Sequence, residues 1–250
     1  MVVQALLAEL LSLAPDFTVV SGDLTQRARR SEFAAAAAFL AELPGKALVV
    51  PGNHDIPLWR IDRRFRSALD SYRQQISQEL NPLLVGPGLE ILGLNTARSN
   101  VWKGGRISSE QTTLISEQFT DKGSGALKLL VTHHPFVSPP SDPGASIVGG
   151  GERALEAAQA TGVDLLLAGH RHESHAVGSR ERHPYIERSM LAVLAGTACS
   201  TRRRGEANSF NLIRGTSDEL ELEVWELRDT TFEIGFSQQF VRSTDGWSAA

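Results

Sequence analysis

The stretch Val163-Asp164-Leu165-Leu166-Leu167-Ala168-Gly169-His170-Arg171-His172 decides how this chain reads. An apolar run this short, closed by a glycine, predicts a buried strand rather than a helix. The strand delivers a turn with two imidazoles two residues apart. In an extended segment, side chains at i and i+2 point the same way, so both rings can face neighbouring metal ions. A Gly-His-x-His turn is weak evidence by itself, because histidines serve more often as loop or core residues than as ligands.

Moving outward, the same arrangement recurs three times. Phe17 to Ser21 is an apolar strand running into Gly22-Asp23. Lys46 to Pro51 is another, ending in Gly52-Asn53-His54-Asp55, and Ala126 to Thr132 leads into His133-His134-Pro135. Each turn has an ordinary structural explanation: a capping Asp, a turn Asn, a satisfied loop His. Together they ask for more. Loops at the strand ends of an open α/β sheet converge on one edge, where ligands bind. The donor types are also consistent: Asp23 has two carboxylate oxygens able to bridge two ions, Asn53 a neutral carbonyl, and His133, His170 and His172 imidazole nitrogens. His54 and Asp55 read as a proton donor with a carboxylate to orient it, and His134 as a support for its neighbour.

Between these strands the periodicity predicts helices. Val3, Leu6, Leu7, Leu10 and Leu13 recur at helical spacing up to Ala14-Pro15-Asp16. A second helix covers Ser31 to Leu43, with Ser31 as its cap and Pro44-Gly45 as its stop. An arginine-rich helical segment over 62–80 lies in a cap or side excursion at about 57–85. Further elements are a strand at 89–95, helices at 108–119 and 152–160, and strands at 190–198, 208–214, 219–227 and 232–240. His175 and His183 fall in what reads as loop. Alternating helix and strand followed by a run of strands implies α/β layers with a mixed sheet, in one domain over 1–250.

Composition narrows the function. At 250 residues and 41% hydrophobic the chain can bury a full core, and a net charge of −4 supplies no broad basic face for nucleic acid. Arginine clusters at 27–30, 63–66 and 202–204 read as solvated faces. Arg98, Arg106 and Arg202 are candidates for a substrate clamp, since guanidinium matches phosphate oxygens. Cys199 is alone, so there is no intrachain disulfide. No apolar run approaches the ~20 residues of a membrane span. The first eleven residues lack the basic start of a signal peptide and carry Glu9 in the would-be apolar core, so the expected location is cytoplasmic.

The four motifs, in this order and over nearly the whole chain, resemble those of the calcineurin-like metallophosphoesterases, in detail the bacterial phosphodiesterase-like branch. The resemblance implies a four-layer α/β/β/α sandwich with a dinuclear site on one edge. It implies that Asp23 bridges two divalent ions (manganese, iron or zinc), that Asn53, His133 and His170 complete one, and that His172 binds the other. A metal-bridging hydroxide would be the nucleophile, and His54 would protonate the leaving alkoxide of a small phosphate ester, a phosphodiester in preference. One motif departs. The family's opening Asp-x-His strand has no counterpart, because residues 1–22 contain no histidine. The expectation is a fold lacking its first strand, through a late start or a truncated gene, with the second ion left on Asp23 and His172 alone. The competing reading is a catalytically silent metal-binding or interaction module of the same fold; a nuclease is a third and weaker one.

Overall fold

The computed structural model describes residues 1–57, 64, 66–101, 104–120, 125–139, 141–200 and 206–250. The expected helix over 62–80 falls partly outside them, and Arg202 wholly so. In chain order the elements are α1 (Val2–Leu13), β1 (Phe17–Val20), α2 (Arg30–Ala41), β2 (Lys46–Val49), a 3-10 turn (Asn53–Asp55), α3 (Asp70–Gln75), β3 (Leu83–Gly86), β4 (Leu89–Leu94), α4 (Ser109–Gln118), β5 (Leu127–Thr132), α5 (Gly151–Ala160), β6 (Leu165–Ala168), β7 (His175–Gly178), α6 (Ser179–Arg182), β8 (Leu191–Leu194), β9 (Ser209–Gly215), β10 (Glu219–Arg228), β11 (Thr231–Ser243) and β12 (Gly246–Ala249).

The central sheet has the order β3-β4-β5-β6-β8-β7, with β4, β5, β6 and β8 parallel. Its register aligns Ile91, Leu129, Leu165 and Leu191 in one row across the four strands, and Leu92, Leu130, Leu166 and Ala192 in the next. Successive side chains on a strand face opposite sides, so the two rows feed two cores. Leu92, Leu130, Leu166 and Ala192 pack with Ile115 and Phe119 of the α4 segment and Ala154, Leu155 and Ala158 of α5. Ile91, Leu129, Leu165 and Leu191 pack instead against Leu48 and Val50 of the β2 segment and Leu220, Leu222, Phe240 and Trp247 of the C-terminal strands. That second β layer is made of the parallel pair β1-β2 and the antiparallel sheet β12-β11-β10-β9. α1 lies against β11. The result is the α/β/β/α layering the motifs imply. β1 pairs with β2 along one edge, and among the described residues no strand pairs with the other.

Local readings needed correction where packing overrode pattern. Ser31 is not the cap of α2: the helix begins at Arg30, and the Glu32 carboxylate accepts from the N–H groups of Arg29 and Arg27 instead. In α1 only Leu6 is buried, and Val3, placed on the apolar face, is exposed. Within 57–85 the described helical residues are 64, 66 and Asp70–Gln75, and Leu83–Gly86 is an edge strand. β7, which carries His175, and β12 are further strands that periodicity missed, being four residues each.

Candidate metal centre

β1, β2, β5 and β6 all end at one edge, and the residues after each strand meet there. Among the described residues, three of the six non-glycine residues with positive φ are Asp23 (59°), His170 (70°) and His172 (61°). Such backbone is costly for residues with a Cβ and is concentrated at functional sites. Gly22 and Gly52 make the approach possible. A Cβ on Gly22 would lie 2.7 Å from both His133 Nδ1 and Gly52 N, and one on Gly52 would run into the Asp23 backbone and carboxylate.

Four donor atoms converge. His133 Nε2 is 3.0 Å from Asn53 Oδ1, His170 Nδ1 is 3.0 Å from the same oxygen, and the two nitrogens are 3.2 Å apart. Asp23 Oδ1 lies 3.4 Å from His133 Nε2. Around one divalent ion with ligand bonds of ~2.1 Å, the edges of an octahedron or tetrahedron are about 3.0–3.4 Å. The proton count argues the same way. His133 Nδ1 sits 2.7 Å from the Ser21 carbonyl, which can only accept, so Nδ1 carries the hydrogen. Its Nε2 faces the Asn53 and Asp23 oxygens, an arrangement that a cation satisfies. The residues present fit a divalent ion held by Asp23, Asn53, His133 and His170.

His172 stands beside this group and contributes to holding the His170 pKa low. Its Nδ1 is 2.6 Å from Thr197 Oγ1. Burial, then neighbouring His133, pushes the His170 imidazole down to about 3, so it enters the site neutral.

His134 clusters with His133 and His170, their nitrogens all within 4.8 Å. Its backbone N–H donates to Thr96 Oγ1, its ring Nδ1 lies 2.8 Å from the same hydroxyl oxygen, and its Nε2 is buried without a hydrogen-bond partner among the described residues. Burial and the surrounding cationic and imidazole groups hold its pKa far below the usual histidine range.

His54 is half-buried, and its Nδ1–H donates to the Gln26 carbonyl at 3.1 Å. Asp55, read from sequence as the group orienting His54, is placed elsewhere. Its buried carboxylate accepts from the N–H groups of Gly52, Leu24 and Thr25 and from the Thr25 hydroxyl. It clamps the Gly22–Thr25 turn to the Gly52 turn, and the His54 N–H in turn donates to Asp23 Oδ1 at 2.9 Å. Burial and the Asp23 charge raise the Asp55 carboxyl to about 7.

Of the arginines, Arg98 is turned inward onto the carbonyls of Asn95 and Ala97 and onto Gln111, so it pins a loop. Arg106 is exposed. His175 lies on β7, and His183 bonds the Phe136 carbonyl. Residues that sequence reasoning missed are Ser21, Gln26, Thr96 and Thr197. The first two act through carbonyls and leave no signature. Thr197 had a faint one, since Gly196-Thr197 follows the buried strand β8 as Gly22-Asp23 follows β1. A cavity of about 290 Å³ opens beside His172, walled by Ser141, Asp142, Arg171, Glu173 and Glu206.

A layered α/β scaffold gathers imidazole, carboxylate and amide donors at its strand ends, a set suited to a divalent metal ion. The sequence model of the calcineurin-like phosphoesterases matches residues 2–174, and the chain belongs to that family of metal-dependent phosphoesterases. Among solved structures, a dimetal phosphatase from Danio rerio shares 15% identity with a TM-score of 0.68, covering 96% of this chain and 89% of its own. Vps29 from Chaetomium thermophilum shares 16% identity with a TM-score of 0.45, covering 93% and 86%. The phosphopantetheinyl hydrolase PptH of Mycobacterium tuberculosis shares 14% with a TM-score of 0.44, covering 78% and 84%. No curated protein matches. Among the described residues no helix is long and apolar enough to cross a membrane.

Proposed function

We propose that this chain hydrolyses a small phosphate ester, a phosphodiester in preference, with two divalent ions. The observation that carries the reading is the convergence of Asp23, Asn53, His133 and His170 at separations of 3.0–3.4 Å. A second ion, if bound, would be held by Asp23 and His172. Bound ions supply Lewis acidity toward phosphoryl oxygens and a nucleophile at neutral pH. The protein's own part is to orient. The Ser21 carbonyl fixes the His133 tautomer, the Asp55 carboxylate fixes the turns that carry Asp23 and Asn53, and the Gln26 carbonyl fixes His54. With its Nδ1–H so engaged, His54 presents Nε2, the nitrogen that would deliver a proton to a departing alkoxide. A poor alkoxide leaving group gains most from that donor, which favours esters over anhydrides.

The test is hydrolysis of bis(p-nitrophenyl) phosphate and of p-nitrophenyl phosphate, each with added manganese and with chelator. The diester is expected to be the better substrate, chelator to abolish turnover, and His54→Ala to slow turnover about 100-fold or more with metal content unchanged. Turnover indifferent to chelator sinks the reading; equal loss of metal in His54→Ala sinks the proton-donor role.

A further inference from the structure

The loop beyond the Gly22-Asp23 turn carries Arg27-Ala28-Arg29-Arg30. In the sequence this cluster reads as a solvated face. The fold gives it a fixed address beside His54. The Gln26 carbonyl accepts from His54 Nδ1 at 3.1 Å, so Arg27 follows directly on the residue that anchors the imidazole. The backbone of the loop is pinned from both ends. Ala28 N–H donates to Thr25 Oγ1 at 3.1 Å, and the Glu32 carboxylate accepts from Arg27 N–H at 3.1 Å and Arg29 N–H at 3.0 Å. Ala28, half-buried, packs against the apolar cluster of Phe33, Ile56, Leu69 and Tyr72. With Ala28 turned inward, Arg27, Arg29 and Arg30 are left exposed.

Other exposed arginines stand opposite a carboxylate: Arg73 opposite Asp70, Arg214 opposite Glu223, Arg228 opposite Glu226. Arg27, Arg29 and Arg30 have no ion pair among the described residues. Glu32 lies close in sequence, but one of its oxygens serves the two backbone N–H groups. Three like charges on a pinned loop repel one another, and an anion placed among them relieves that repulsion. Guanidinium groups match the oxygens of a phosphate in pairs.

The position of the loop decides which part of a substrate it meets. A proton donor must lie beside the oxygen that departs, so the leaving alcohol lies on the His54 side of the metal centre. We propose that Arg27, Arg29 and Arg30 bind an anionic group on that alcohol, making the preferred substrate a phosphodiester whose leaving group bears a second phosphate. The assignment rests on the reading of His54 as proton donor. Asp23, Asn53, His133 and His170 serve the phosphoryl group that is cleaved, while the arginines serve the choice of substrate.

The experiment compares three methyl phosphodiesters that differ in the other alcohol: 3-hydroxypropyl phosphate, propanol or 3-aminopropanol. Each is incubated with the chain and manganese, and the released alcohol is measured by mass spectrometry. In wild type the anionic diester should exceed the neutral one in kcat/KM by about 10-fold or more, chiefly through a lower KM, with the cationic one last. The preference should shrink at high salt. With Arg27→Gln, Arg29→Gln and Arg30→Gln combined, it should fall to near parity, whereas the three Arg→Lys changes together should keep the order. Thermal unfolding confirms that both variants are folded. A wild type that treats the anionic and neutral diesters alike, or a folded glutamine variant that keeps the preference, overturns the arginine assignment and leaves the phosphoesterase reading standing. Hydrolysis of none of the three by wild type sinks that reading, and the arginine assignment with it.

Discussion

The strand ends that supply His133 and His170 and those that supply Asp23 and Asn53 face the same centre but are held by different means. β5 and β6 are paired on both sides in the central sheet, and Leu129, Leu130 and Val131 fill cores on both faces. Their register is set by many apolar contacts, each replaceable at modest cost. β1 is paired on one edge, and all four of its residues are only half-buried. The turns beyond β1 and β2 owe their positions to one carboxylate, Asp55, and to two glycines that let the backbones touch. Positioning by a sheet is distributed, whereas positioning by a clamp is concentrated in few residues.

That contrast predicts where damage to stability and damage to the site coincide. The largest effect should come from Asp55→Ala. It strands the buried N–H groups of Gly52 and Thr25 and the part-buried one of Leu24, at ~1–3 kcal/mol apiece before relaxation, for a total of about 4 kcal/mol. Manganese affinity should collapse with it, since Asp23 and Asn53 lose their frame. Leu166→Ala in the central sheet should cost about 3 kcal/mol through its cavity and leave manganese affinity of the folded protein unaltered. Urea unfolding beside manganese titration checks both, and equal loss of affinity in the two variants would erase the distinction between clamp and sheet. Gly52→Ala follows at about 2 kcal/mol, because its Cβ would press on the Asp23 carboxylate; affinity should fall more than its stability cost alone suggests.

The smallest effect is a pH dependence. In the metal-free chain the Asp55 carboxyl is raised to about 7 by burial and by Asp23. An acid whose folded pKa lies above its unfolded one of ~3.9 lowers stability as it ionises, so its term falls from pH ~4 to 7. His170 is depressed to about 3 by burial and by His133. Its term is fully present above the unfolded value of ~6.5 and is lost as pH drops toward 3. Over the shared window the two oppose each other. Thermal midpoints of metal-free Asp55→Asn should therefore fall more steeply on acidification than those of wild type, and parallel curves would mean that Asp55 is ionised throughout.

The strands and the turns that follow them were legible in the sequence because their signals are local, while the four layers came from the family resemblance. A continuous apolar run such as Leu129-Leu130-Val131 marks a strand buried on both faces, and a glycine after a buried strand marks where a side chain can emerge. α1 shows the limit: its apolar spacing is helical, but burial of Leu6 and exposure of Val3 depend on what β11 leaves for it to cover. Asp55 shows it at the site, since adjacency to His54 suggested a relay and the fold used the carboxylate as a clamp.

The amino-acid sequence by itself determined which groups could bind metal: strand-end Asp, Asn and His are chemically competent wherever they lie. Only the tertiary structure decided which nitrogen of each histidine is offered, because that choice belongs to partners far along the chain. His133 is fixed by a carbonyl 112 residues away, and His172 meets a hydroxyl 25 residues away. A carbonyl is common to every residue and a hydroxyl to many, so neither distinguishes itself until folding sets it within hydrogen-bond reach of an imidazole.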